Sequence, residues 1–554
     1  MSDLIAPGQA PRSADTKNRL AYLSNFGAKR LSLFVFVVLT VLVFATFRDY
    51  GISWDEHVQD IYGRDLLLYY RSWFHDLSAF NYSNLRYYGG TFDLVAAVLN
   101  SFSQFGEYET RHLLGGIIGL VGMFGAYRLA CLLEGERAAL FVLLLLALTP
   151  VLYGHNFINP KDAPFAWVLI WTVYYACRAI GELPRPTLST ALGFGAALGL
   201  AVGTRVVGLI IFVFCLPAFL AYAAGRYRET GSIRRVGRDV GTFFLRLLPA
   251  LPVAFLVTAF FWPWVVQAPQ NLMTALKLFA SFPWQGFVLW NGQIYLPDHL
   301  PRLYLPVLIG YQLPEGVLVG LLAIAVSGVS SLKTKGLGHL TDKRSLGYSV
   351  VVSAAAIPIL YSVVLRPNDY DGLRHFLFVV PPLVMLAGIG IEKVYAWALR
   401  HGLRTAYGCA TLLAAFIAGQ IAIIANLHPD EYVYFNVLAG GVSGAAGRFD
   451  LDYWGISLAE ATRNLSTYVA QETPKPLSQR PWNVFVCGDP FSAVPFFIEG
   501  SNLRYVGQQQ DADFAVSIGM PVCDARSKGR RILEVKRGGA VLSYVTDLRN
   551  TVPP

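Results

Sequence analysis

The residues best equipped for chemistry are Trp54-Asp55-Glu56-His57, which follow closely on the first long apolar run, Leu31 to Phe47. A carboxylate takes a proton from a hydroxyl or amine, provided it stays ionised and in reach. Holding two of them beside a membrane span costs desolvation energy, so ionisable groups there point to a pathway or a reaction. Asp55 is the candidate general base, with Glu56 beside it as a second candidate catalytic residue. A purely local use is also open, because Ser53 with these acids can cap a helix whose dipole favours carboxylates in its first turn.

Two other segments carry complementary charge. In His155-Asn156-Phe157-Ile158-Asn159-Pro160-Lys161-Asp162-Ala163-Pro164, the prolines bar continuous helix. Lys161 suits a phosphate as a point charge, Asp162 could serve a sugar or an acceptor, and His155 is a candidate substrate contact. Equally, Lys161 and Asp162 could simply pair with each other. In Arg366-Pro367-Asn368-Asp369-Tyr370-Asp371-Gly372-Leu373-Arg374-His375-Phe376, Arg374 could clamp phosphate oxygens bidentately with His375 alongside, or merely snorkel to the interface. Tyr88, in Tyr87-Tyr88-Gly89-Gly90, is a further candidate substrate contact.

The elements that must position these residues are membrane helices. Of 554 residues, 54% are hydrophobic and only 15% charged, with mean hydropathy +0.45. Soluble chains carry about a quarter charged residues. The 11 Trp and 29 Tyr gather at the ends of apolar runs, where amphipathic rings favour the headgroup layer. A net charge of +9 does not imply nucleic acid, because the Lys and Arg lie between apolar runs and form no recognition motif. No Cys or His spacing suits a zinc site.

Runs of spanning length occur at 31–47, 112–133, 138–154, 164–180, 188–204, 206–224, 240–262, 303–330, 347–365, 374–397 and 405–427. Eleven spans that start inside put the C-terminus outside. Arg178/Arg185, Arg226 to Arg238, Lys333 to Arg344 and Lys393 to Arg404 all fall on alternate connections, as the positive-inside rule requires. Asp55, Lys161 and Arg374 then share the outer face. The expected organisation is a cytoplasmic tail at 1–30, a membrane region at 31–427 with outer loops at 48–111, 154–163, 263–302 and 366–373, and an outer α/β domain at 428–554.

Within that domain, Ser457 and Glu460 form a capping-box pattern, and strands are expected at 483–487, 514–518, 532–535 and 540–545, the last two joined by Gly538-Gly539. Cys487 and Cys523 would pair if the tail lies outside the cytoplasm. Gly195, Gly199 and Gly203 recur at every fourth position, a stripe along which another helix can approach closely.

The aromatic-Asp-Glu element after the first span, the His-x-x-x-Asn-Pro-Lys-Asp-x-Pro loop, the Gly-Leu-Arg-His-Phe segment and the span count together resemble the GT-C superfamily of membrane glycosyltransferases. The likeness is to its protein O-mannosyltransferase-like and aminoarabinose-transferase-like branch, through about residue 440. That resemblance implies a polyprenyl-phosphate sugar donor, an inverting transfer, and an acid of the first outer loop as base, which maps onto Asp55. The expected location is the plasma (inner) membrane, and lipid, glycan and protein acceptors are all compatible with the sequence. Some members use a divalent cation, although no ligand set is legible here. The tail does not resemble the β-trefoil insert of protein O-mannosyltransferases. A lipid transporter or scramblase is the competing expectation, and it calls for inverted repeats or broken helices with polar groups near the bilayer centre.

Overall fold

The computed structural model describes residues 12–280, 282–472, 480–526 and 529–549. Residues 1–11 of the expected tail lie outside that set, and the rest of the tail is helical, continuous with the first span as α1 (Arg12–Thr46). Among the described residues, eight helices are long and apolar enough to cross a membrane, and ten if two bent pairs each count once. The protein is a multi-pass membrane protein.

The bent pairs are Glu136–Ala147 with Pro150–Ile158, at 66°, and Ile233–Leu247 with Ala250–Phe261, at 42°. Each break sits at a proline, which lacks the N–H needed to continue the helix. No charged side chain lies at either break, where Leu148-Thr149-Pro150 and Leu248-Pro249 stand.

A shorter apolar helix, Leu188–Val202, occupies the run expected at 188–204, but its 15 residues reach only about 22 Å, short of the hydrocarbon thickness. The glycine stripe on this helix does pack closely. A Cβ on Gly195 or Gly199 would run into Ala250 or Val257 of the facing helix. The run expected at 303–330 divides into Tyr304–Gln312 and Glu315–Lys335. Pro314 forces Leu313 into extended backbone (φ −93°, ψ 141°), so the span starts at Glu315.

The helices Asp162–Gly181 and Arg374–Arg400 are largely buried and form the centre of the bundle, whereas Leu403–Leu427 is scarcely buried and lies on its outside. After α1 the chain turns into α2 (Trp54–Arg71), whose Tyr62 and Leu66 are wholly buried. A buried ion network fixes α2 in place. Arg111 meets Asp93 at 2.6 Å and Asp60 of α2 at 3.6 Å, and all three side chains are out of solvent. The 263–302 loop forms two short helices, Pro263–Gln267 and Asn271–Ala280, and a hairpin, β1 (Val288–Trp290) with β2 (Gln293–Tyr295).

The C-terminal part carries β3 (Trp482–Cys487), β4 (Leu503–Tyr505), β5 (Phe514–Ile518), β6 (Arg530–Arg537) and β7 (Ala540–Asp547) in the order β4-β3-β5-β7-β6. β3 runs parallel to β4 and β5, and the β6–β7 hairpin closes one edge in antiparallel register. The short strand β4 has no alternating pattern to announce it. The helix Leu458–Glu472 packs on this sheet, but Ser457 and Glu460 do not form the expected capping box. The Ser457 hydroxyl donates to Asp452, and Glu460 pairs with Arg537 at 2.5 Å. A disulfide joins Cys487 to Cys523. The segment ahead of the sheet lies directly on the turn into α2, so that a Cβ on Gly51 would overlap the Ile456 carbonyl.

Candidate active site

The two carboxylates of the Asp55-Glu56 pair part company. The Ser53 N–H donates to Glu56 Oε2 at 2.8 Å, and Glu56 Oε1 lies 3.0 Å from His112 Nε2, so this side chain is buried in helix-end duty. That differs from the catalytic placement expected of it. The reason is helical geometry, since adjacent residues on a helix point about 100° apart and only one can face the site. Ser53 itself donates to the Ile158 carbonyl at 2.7 Å, which ties the start of α2 to the His155–Pro164 loop.

Asp55 faces the other way and meets both expected cations. Its Oδ2 accepts from Lys161 Nζ at 2.8 Å and from Arg374 Nη1 at 2.7 Å. Burial alone would raise this carboxyl, but the Lys161 ammonium and the Arg374 guanidinium outweigh it and hold Asp55 well below the usual carboxylate range. Oδ1 takes part in neither contact. Lys161 and Asp162 are not an ion pair with each other. Asp162, almost fully buried, pairs with Arg205 instead, and Asn159 Oδ1 accepts the Asp162 and Lys161 amides at 2.7 and 3.2 Å.

Arg374 does not snorkel. Its side chain is buried, its second nitrogen reaches Asp371 at 2.9 Å, and its guanidinium lies 5.0 and 5.1 Å from the ring centres of Tyr370 and Trp454. Burial pushes the Asp371 carboxyl up to about 6 even so. His155 is sealed from solvent between the Tyr453 hydroxyl (3.1 Å) and Asn159, so it braces the loop from behind. Tyr88 forms the floor between Lys161 and Arg205, which lie 5.4 and 5.6 Å from its ring centre.

Beside this cluster opens a cavity of about 310 Å³. Arg205, Tyr88 and His375 mark its polar end, and Phe279, Ile210 and Phe378 are among its apolar walls. The arrangement suits a ligand with an anionic head and a hydrocarbon tail. Among the described residues no group of three or more His, Cys, Asp or Glu is arranged to hold a metal ion, and the cluster carboxylates Asp55, Asp162 and Asp371 are each taken up by a cationic side chain.

Arg205, Asp371 and Trp454 are site residues that the sequence did not single out. A signal for Arg205 was present, because it is the lone charge between the runs 188–204 and 206–224, on a connection that alternation assigns to the outer face.

Residues 96–256 match the family model described as dolichyl-phosphate-mannose-protein mannosyltransferase. The chain resembles the GT-C membrane glycosyltransferases. Among solved structures it is similar to ArnT from Cupriavidus metallidurans bound to undecaprenyl phosphate, with 14% identity and a TM-score of 0.49 over 94% of this chain and 99% of that one. It is also similar to the oligosaccharyltransferase AglB from Archaeoglobus fulgidus in complex with an inhibitory peptide and a dolichol-phosphate, with 13% identity and a TM-score of 0.46 over 95% and 75%. Comparison with curated proteins finds no match.

Proposed function

We propose that the protein transfers a sugar from a polyprenyl-phosphate donor to an acceptor on the extracytoplasmic face, with inversion at the anomeric carbon and Asp55 as general base. The observation that carries this reading is the Asp55 carboxylate held by Lys161 and Arg374, with the Tyr88 ring between Lys161 and Arg205, the cation that lines an apolar cavity. The prenyl chain occupies the cavity, and the phosphate takes Arg205, Lys161 and Arg374. As those cations turn to the phosphate, Asp55 loses the charges that hold it acidic and becomes a better base. The acceptor oxygen or nitrogen attacks the anomeric carbon and its proton goes to Asp55. The bond from that carbon to the phosphate oxygen breaks, and polyprenyl phosphate leaves, its charge held by the same cations. Asp162 holds Arg205 at the cavity, and Asp371 holds Arg374 beside Asp55.

The alternation of basic connections and the Cys487–Cys523 disulfide support a cytoplasmic N-terminus and an outer C-terminal domain in the plasma (inner) membrane. The donor requirement follows from that placement, since nucleotide sugars are absent outside and an activated sugar must arrive already on a lipid.

The test compares membrane glycolipids and surface glycans with and without the gene by mass spectrometry. A product that differs by one sugar mass, restored by the wild-type gene and not by Asp55→Asn, is expected. Identical profiles, or restoration by Asp55→Asn, would refute the assignment.

A further inference from the structure

We propose that His375 reads the donor's sugar, its Nε2 accepting a hydrogen bond from a hydroxyl or amine of the sugar carried on the polyprenyl phosphate. This rests on the donor class proposed above and adds to it a requirement on the sugar.

The ring is fixed before any ligand arrives. Its Nδ1 lies 3.1 Å from Asp369 Oδ1, and the Tyr370 ring stands edge-on to it with centres 4.3 Å apart. Tyr370 is in turn stacked on Trp284 at 4.0 Å. Asp369 Oδ1 also accepts the Tyr370 amide at 3.0 Å, whereas Oδ2 is buried without a hydrogen-bond partner. Burial lifts the Asp369 carboxyl to about 8, so a proton on it belongs on the partnerless Oδ2. In either state of Asp369, Oδ1 accepts, the imidazole proton resides on Nδ1, and Nε2 carries a lone pair.

The ring borders the cavity, and Nε2 bonds to no described residue. The cations at this end of the cavity, Arg205 and, across Tyr88, Lys161, can only donate, and each is backed by a carboxylate, Asp162 or Asp55. A phosphate, which only accepts, is drawn to them and repelled by the His375 lone pair. The group next to the phosphate is the sugar, whose hydroxyls or amine can donate. The neutral acceptor His375 beside these cations therefore favours the sugar over the phosphate at its own position. It also discriminates against a sugar that presents a deoxy, O-methyl or O-acyl position there, because the lone pair would be buried unpaired.

The experiment measures binding of undecaprenyl phosphate, and of undecaprenyl-phosphoryl mannose, glucose and galactose, to the purified full chain and its variants. Wild type should bind at least one charged lipid better than the bare phosphate. His375→Ala and Asp369→Ala should weaken that lipid by about threefold to tenfold, the value of one hydrogen bond, and leave bare undecaprenyl phosphate within twofold. Asp369→Asn, which keeps the acceptor for Nδ1, should behave as wild type. Equal loss for bare and charged lipids in both alanine variants would overturn the assignment, making His375 part of the phosphate site or the fold. A wild type that binds bare undecaprenyl phosphate but favours none of the three sugars would overturn the role of His375 and leave the lipid site standing. Failure to bind any of the four lipids would overturn the donor class itself.

Discussion

Replacing Asp55 by Asn should change donor binding and turnover in opposite directions. In the structure one carboxylate oxygen occupies both cations that the donor phosphate needs, at 2.7 and 2.8 Å. A unit charge pair at about 4 Å is worth roughly 4 kcal/mol at an effective dielectric of 20. Asp55 is 26% exposed, and solvent screening together with its reorganisation leaves on the order of 1 kcal/mol of competition. Removing the negative charge should therefore tighten undecaprenyl phosphate by about fivefold, since about 1.4 kcal/mol is tenfold. Transfer should fall by about 10² to 10⁴, the range for loss of a positioned base. Binding is read by thermal shift or thermophoresis on detergent-purified protein, and transfer by single-turnover assay with a radiolabelled lipid-linked sugar. Weaker lipid binding in Asp55→Asn would show that the carboxylate organises the cations and does not compete for them. Transfer within tenfold of wild type would remove Asp55 as the base.

Arg205→Ala combined with Asp162→Asn, which avoids leaving a buried unpaired carboxylate, should weaken undecaprenyl phosphate by roughly tenfold to a hundredfold, as expected for a charged hydrogen bond of about 1.5 to 3 kcal/mol; unchanged affinity would detach Arg205 from the phosphate. Glu56→Ala should cost about 1 to 3 kcal/mol of stability by orphaning the Ser53 amide and His112, so its transfer defect should come with a lowered melting temperature, whereas Asp55→Asn, which keeps a side chain of the same shape, should lower the melting temperature less while losing more transfer. Asp450, which accepts the Leu289 amide at 3.0 Å beside the β1–β2 hairpin, is raised by burial to about 7, so the folded protein holds a proton that the unfolded chain has lost above about pH 4. That contribution is fully present below about pH 4 and is lost as pH rises towards 7. The melting temperature of wild type relative to Asp450→Asn should accordingly fall between pH 5 and pH 8, and parallel curves would refute it.

The sequence by itself determined the membrane class and the three segments that supply the charged cluster. Each of these is written in local composition, because hydrocarbon excludes charge and tolerates only apolar helices of sufficient length. Residue types and the expected topology together were enough to group Asp55, Lys161 and Arg374, which the structure brings into contact. They were not enough to say which partner each side chain takes. That Lys161 leaves its neighbour Asp162 for Asp55, that Asp162 turns to Arg205, and that Glu56 closes a helix end while Asp55 enters the site were decided by the tertiary structure. Pairings between residues 43, 106 and 319 positions apart follow from helix rotation and packing of the Asp162–Gly181 and Arg374–Arg400 helices at the centre of the bundle. No local pattern encodes that rotation, because side chains one residue apart on a helix already face different neighbours.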